Sequence, residues 1–209
     1  MKLIKKVITI LMILLITFSV LSDTAKASEP YGSEELEVLS QANGLINACK
    51  KYNIKRIRSY VVKSDRVWHI KDKDIQKYIK KTQKKYFSAT VTDIQINGKY
   101  AYVYLDVSNF DSASLAHDYL IEYVDKRLKN KSWDYNKNLT PLLIKYYKHY
   151  LKIVTDEDIW TDSITLKFKK KNGKWKLAKN TNDLYYMMDG GISVEMRKFI
   201  KNPLKYYWS

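Results

Sequence analysis

Cysteine, proline, glycine, histidine and arginine are all scarce in this 209-residue chain. The single cysteine, Cys49, excludes an internal disulfide, so the core must hold by packing alone. On a predicted helix beside Ile46, Cys49 reads as a small buried hydrophobe rather than a nucleophile. Three prolines and six glycines leave no Gly/Ser/Pro-rich linker, and no fixed period repeats. The three histidines, His69, His117 and His149, lie far apart without ligand spacing, so no metal is expected. Few of the 38 Lys and Arg residues are Arg, the fork that reads bases and phosphates. Nucleic acid is therefore not an expected partner. No Ser-His-Asp or Cys-His constellation and no Gly-rich phosphate loop stands out. Catalysis and a bound cofactor are accordingly not expected.

What is abundant begins at the N-terminus. Lys2, Lys5 and Lys6 precede the apolar run Val7–Leu21, and Ala25-Lys26-Ala27 follows with small residues at a peptidase's two reading positions. This is the pattern of a secretory signal peptide cut after Ala27. Kept uncut it would be a membrane anchor, but the run is shorter than the ~20 residues a span prefers. No cysteine lies near the cut to carry a lipid. The expected location is secreted, or the outer face of the cell envelope. Net charge is +16, and losing residues 1–27 removes four Lys and one Asp to leave +13. Such a charge favours anionic surfaces. A Lys-, Asn-, Ile- and Tyr-rich composition also follows from an AT-rich genome without any ligand.

Residues 28–33 form a short leader. Glu34–Tyr52 predicts an amphipathic helix with Leu36, Leu39, Ile46 and Cys49 inward, Ser33 as its cap and Gly44 as a weak point. A short helix then buries Ile54, Ile57 and Val61. Lys71–Tyr86 predicts a helix with Ile75, Tyr78, Ile79, Thr82 and Tyr86 on one side and Lys73, Lys77, Lys80, Lys81 and Lys84 facing water. Asp111–Leu128 and Thr140–Ile153 are helical, with Lys129–Lys137 a loop between them. Asp183–Gly191 is a helical turn ended by glycines. Ile192–Ser209 is a helix stopped near Pro203 with an aromatic tail, Tyr206-Tyr207-Trp208, that sits at a membrane interface or folds back.

Two hairpins carry the strands. Asn97-Gly98 as a two-residue turn sets Ile96 against Lys99 and Ile94 against Ala101. Ile94, Ile96, Ala101, Val103, Leu105 and Val107 then share one face, and Tyr100, Tyr102 and Tyr104 share the other with Asp93, Gln95 and Asp106. A change of apolar parity after Val91 calls for a bulge near Thr92-Asp93. In ITLKFKKKNGKWKL, with Asn172-Gly173 as the turn, Lys171 faces Lys174, Lys169 faces Lys176 and Phe168 faces Leu177. Ile164, Leu166, Phe168, Trp175 and Leu177 form the core face. Lys167, Lys169, Lys171, Lys174 and Lys176 form the other.

Helices first, then strands in two hairpins separated by helices, describe an α+β domain rather than a βαβ sheet. The stretches KKYFSATVTDIQINGKYAYVYLDV and YYKHYLKIVTDEDIWTDSITLKFKKKNGKWKLAKNTNDLYYMMDGG resemble the secreted nuclear-transport-factor-two-like domains of Gram-positive bacteria, many of them lipoproteins. The resemblance spans Leu36–Gly191 and rests on apolar positions around two NGK turns. It implies the cone-shaped fold shared with ketosteroid isomerases: N-terminal helices packed on a strongly curved, mostly antiparallel sheet, often with a pocket in the cone. This places the domain at 34–191 and leaves 192–209 as an extension. The chain departs from those relatives in lacking a lipobox cysteine and in its aromatic C-terminus.

An enzyme of the ketosteroid isomerase type would need a carboxylate base in an apolar pocket. Asp93 and Asp106 fall on the face opposite the core, and Asp72 reads as a helix cap. Two surfaces remain as candidates. The basic one is Lys167, Lys169, Lys171, Lys174 and Lys176, for which a solvated face is the plainer reading. The aromatic one is Tyr100, Tyr102 and Tyr104, whose plainer reading is cover by a helix or partner, a homodimer included; a platform for sugar rings is the alternative. The expected function is an exported, non-catalytic binding domain whose basic surface meets an anionic polymer, lipid head group or protein. The alternative is a small-molecule pocket binder or enzyme of the same fold.

Overall fold

The structure is a computed structural model and describes residues 31–62, 67–129, 140–153, 155–179 and 181–208. The expected signal peptide, most of the leader and nearly all of the Lys129–Lys137 loop lie outside the described residues. Residues 1–36 and 37–209 form separate compact units. Of the first, the described part is residues 31–36, where Gly32 N–H donates to Glu35 Oε2 at 2.7 Å.

The elements run α1 (Ser33–Lys50), α2 (Ile54–Tyr60), α3 (Lys73–Tyr86), β1 (Ser88–Asn97), β2 (Tyr100–Phe110), α4 (Ser112–Lys129), α5 (Thr140–Ile153), β3 (Ile159–Lys171), β4 (Lys174–Leu177), α6 (Asn182–Asp189), α7 (Ile192–Lys201) and α8 (Pro203–Tyr207). The fold is α+β, with one antiparallel sheet in the order β1-β2-β3-β4. Val61 adds a parallel bridge to Leu177, and Val62 N–H donates to Leu177 O at 3.1 Å, which caps the open edge of β4. Among the described residues no helix is long and apolar enough to cross a membrane.

The sheet's inner face is as the alternation predicts. Ala101, Val103, Leu105, Val107, Ile164, Leu166, Phe168, Trp175 and Leu177 are all buried. The bulge is present: Val91 pairs with Leu105, but Asp93 pairs with Tyr104, leaving Thr92 over. Asn172 and Gly173 both take positive φ, 51° and 72°, and set the predicted register of the second hairpin.

The first hairpin differs. Its turn is Gly98-Lys99, so Asn97 pairs with Tyr100 and Ile96 with Ala101. Only Gly98 takes positive φ here, and Lys99 O accepts from Lys170 N–H of β3 at 2.9 Å. The third strand thus helps to fix the turn. Each partner moves by two positions, so every side chain keeps its face.

On α1 the buried stripe is Val38, Ala42, Leu45, Ala48 and Cys49, while Leu36 stands exposed and Ile46 is half-buried. The alanines bring α2 close. A Cβ on Gly44 would come within 2.2 Å of the Tyr60 hydroxyl, so the expected weak point is a packing position. Asp72 does cap α3, its Oδ1 accepting from Asp74 N–H at 2.9 Å and Ile75 N–H at 3.0 Å.

A double glycine ties the C-terminal helices to the sheet. Gly190 and Gly191 take φ of 64° and 83° between α6 and α7. Gly190 O accepts from Ala113 N–H at 2.8 Å, and a Cβ on Gly190 would lie 2.0 Å from Phe110 O. Only glycine fits both constraints. The aromatic tail folds back. Tyr206 is buried and donates to Glu195 Oε2 at 2.7 Å, and Tyr207 donates to Asp125 Oδ1 of α4 at 2.5 Å. Trp208 stays 79% exposed.

Candidate functional site

The pairing of β2 with β3 merges the two candidate surfaces. Side chains alternate across a strand, so the register lays out the outer face in cross-strand rows. They read Lys176–Lys169–Tyr100–Asn97, then Lys167–Tyr102–Gln95, Thr165–Tyr104–Asp93, Ser163–Asp106–Thr90, and Thr161–Ser108–Ser88. None of these residues is buried. Two residues per row make a strip ~27 Å long.

The tyrosines and lysines touch. Lys167 Nζ lies 4.2 Å from the Tyr100 ring centroid and 5.3 Å from that of Tyr102. Lys99 and Lys169 approach Tyr100 at 5.7 and 5.9 Å. Each such contact contributes about 0.5–1 kcal/mol at an exposed site. The three rings are half-buried beneath lysine side chains and each other rather than under a described helix. Lys176 Nζ donates to Ser59 O at 3.1 Å, which holds it across the end of α2. Lys171 and Lys174 face each other at the turn and are exposed.

The character of the strip changes along its length. In the middle, Tyr104 OH donates to Gln95 Oε1 at 3.3 Å, and Gln95 Nε2 to Asp93 Oδ2 at 3.0 Å. Ser163 Oγ donates to Asp106 Oδ1 at 2.7 Å. The far end is a shallow groove of about 560 Å³ walled by Ser88, Thr90, Asp106, Ser108, Thr161 and Ser163. One open face therefore runs from lysines over tyrosine rings to hydroxyls and a carboxylate. Asp93 and Asp106 point outward as expected, and neither can serve an interior pocket.

The interior holds a group that sequence reasoning missed. Asp189, at the end of α6, is 1% exposed. Ser193 donates to it through both N–H and Oγ. Burial pushes its carboxyl up to about 7, and these hydrogen bonds only partly offset that. It lies near Cys49, Tyr52 and Tyr147, all of them pushed up first by burial and further by its charge. The hydroxyls of Tyr52, Ser112 and Tyr147 are buried and find no partner in hydrogen-bond geometry. The available signal was an acid set between Met188 and two glycines, which reads as a helix end. Among the described residues no group of three His, Cys, Asp or Glu could hold a metal.

No protein-family model matches the chain. No curated protein matches it either. A solved Bacillus subtilis protein, described as a lipoprotein, is similar at 18% identity with a TM-score of 0.29, over 74% of this chain and 44% of that one. The chain thus spans less than half of that protein, and a likeness at this score carries no argument about fold or function.

Proposed function

We propose that the protein is an exported, non-catalytic binding domain of the cell envelope, and that the outer face of its sheet holds an extended anionic polymer. One observation carries this reading: the tyrosine ladder and the lysine row are a single open face, with Lys167 over two tyrosine rings. Lysines supply charge for phosphate or carboxylate groups along the polymer, rings supply flat apolar area, and the hydroxyl groove accepts polar units further on. The N-terminal sequence pattern supports export, and the apolar spacing around the two NGK turns supports kinship with the cone-shaped nuclear-transport-factor-two-like domains. The test is binding of the full chain to a poly(glycerol phosphate) polymer and to a neutral glucan across a salt series. Binding to the anionic polymer that falls steeply with salt, and is lost when Lys167, Lys169, Lys171, Lys174 and Lys176 become Gln, supports the reading. Equal retention of both polymers by that variant sinks it.

A second reading rests on Asp189. A buried acid with a pKa near neutrality, beside unpartnered tyrosine hydroxyls, suits a polar small molecule in the interior. Thermal stabilisation by a compound, abolished in Asp189→Asn, would favour it.

A further inference from the structure

A groove of about 360 Å³ lies far from the sheet's outer face, between the Trp68 segment and α7. Its apolar wall is Trp68, Val194 and Ile200; its charged rim is Arg197, Lys198 and Lys201. Tyr185 fixes both sides. Its hydroxyl accepts from Trp68 N–H at 3.2 Å, and its ring meets the Arg197 guanidinium at 5.0 Å. The groove is therefore set by a buried side chain rather than by two independent surface segments.

The charge here is one-sided. From Ile192 to Trp208 the only acid is Glu195, against Arg197, Lys198, Lys201 and Lys205. Glu195 is buried and engaged by Lys198 at 2.7 Å and by Tyr206 at 2.7 Å. Its charge is spent inward, while Arg197, Lys201 and Lys205 stand exposed. Four large apolar residues are exposed among the described residues, and the two most exposed are Ile200 at 63% and Trp208 at 79%. Both lie in this basic segment. Exposed Ile and Trp beside unneutralised cations is the make-up of a surface that sits at the boundary between lipid head groups and acyl chains.

We propose that the Trp68–α7 groove docks on an anionic phospholipid surface. Arg197 and Lys201 meet the phosphates, and Ile200 and Trp68 enter the acyl boundary. This site is independent of the polymer-binding face, and either can fail without the other.

The test uses the full chain with vesicles of phosphatidylcholine, with and without phosphatidylglycerol, at low salt. Phosphatidylglycerol should strengthen binding, and the Arg197→Gln/Lys201→Gln variant should bind those vesicles on the order of thirty-fold more weakly. Ile200→Ser should weaken binding several-fold. Phosphatidylglycerol brominated on its acyl chains should quench tryptophan fluorescence, with part of the quenching lost in Trp68→Phe. Unchanged melting temperatures check that the variants fold; should the double variant unfold, Lys201→Glu at its exposed site replaces it. Equal binding of wild type and the charge variants overturns the proposal. So does wild-type binding indifferent to phosphatidylglycerol, which would place the attachment in the apolar run Val7–Leu21. Binding of poly-glutamate, lost in the same variants without any response to phosphatidylglycerol, would assign the groove to an acidic protein and overturn it equally.

Discussion

Asp189 makes stability depend on pH in a direction opposite to that of a paired surface carboxylate. Unfolded, its carboxyl titrates near 3.8; folded, burial raises it to about 7. The folded state therefore holds the proton more tightly. The stability tied to this group is complete below about pH 4, falls as pH rises from 4 to 7, and is fully lost above the folded pKa. At ~1.4 kcal/mol per pH unit, that interval amounts to at most about 4 kcal/mol. Replacing Asp189 with Asn removes the titration but keeps the shape. The amide alters the Ser193 contact, which adds an offset independent of pH. The informative quantity is thus the change in the wild-type-to-variant difference between pH 4 and pH 8. For a chain of this size about 4 kcal/mol corresponds to a relative gain of about 10 °C in melting temperature for Asp189→Asn at the higher pH. Melting curves followed by circular dichroism at both pH values measure it. A difference that does not change with pH, or a side-chain NMR titration of Asp189 with its midpoint below 5, would refute the argument.

Gly190→Ala should lower stability by several kcal/mol in denaturant unfolding, since its Cβ meets Phe110 O at 2.0 Å at a φ of 64°. Gly98→Ala has positive φ but open space around it and should cost only about 1 kcal/mol, so similar losses at both sites would contradict the packing account. Cys49 is fully buried and its thiol is pushed up by burial, so a disulfide-exchange reagent should label it only in denaturant; prompt labelling of the native protein would place it elsewhere. Changing Lys167, Lys169, Lys171, Lys174 and Lys176 together to Gln should leave the melting temperature within a few degrees, because these side chains bury little and face each other in like-charge pairs.

What was legible in the sequence was local. The second hairpin follows from Asn172-Gly173, whose positive φ values select the turn and thereby the register of β4 on β3. The first hairpin carries the same dipeptide and turns one residue later, because Lys99 answers to Lys170 across a strand boundary that no dipeptide encodes. On α1 the apolar pattern pointed to Leu36 and Leu39, whereas close packing chose Val38, Ala42 and Ala48. Alanine carries little weight in a hydrophobicity pattern but allows two helices to approach. Asp189 was invisible for a related reason. An acid next to two glycines looks like a solvated helix end unless the neighbouring α7 is known to bury it.

The merged outer face was beyond reach for the same reason, since nothing within either hairpin predicts that Tyr102 will pair with Lys167. The pairing sharpens the choice between a solvated lysine face and a working platform. Lysines that only keep the sheet soluble would leave Tyr100→Ala without effect on any ligand. On a platform the two residue types fail differently. The attraction of Lys167 and Lys169 for an anionic polymer is screened as salt shortens the Debye length from ~10 Å at 0.1 M to ~3 Å at 1 M. Contact with the Tyr100 ring buries apolar area and is not screened. Lysine-to-Gln variants should therefore weaken binding at low salt and converge with wild type at high salt. Tyr100→Ala should weaken it by the same factor throughout. Isothermal titration across the salt series separates the two. If the Tyr100→Ala deficit shrinks with salt in step with the lysine deficit, the ring acts only by holding Lys167 in place.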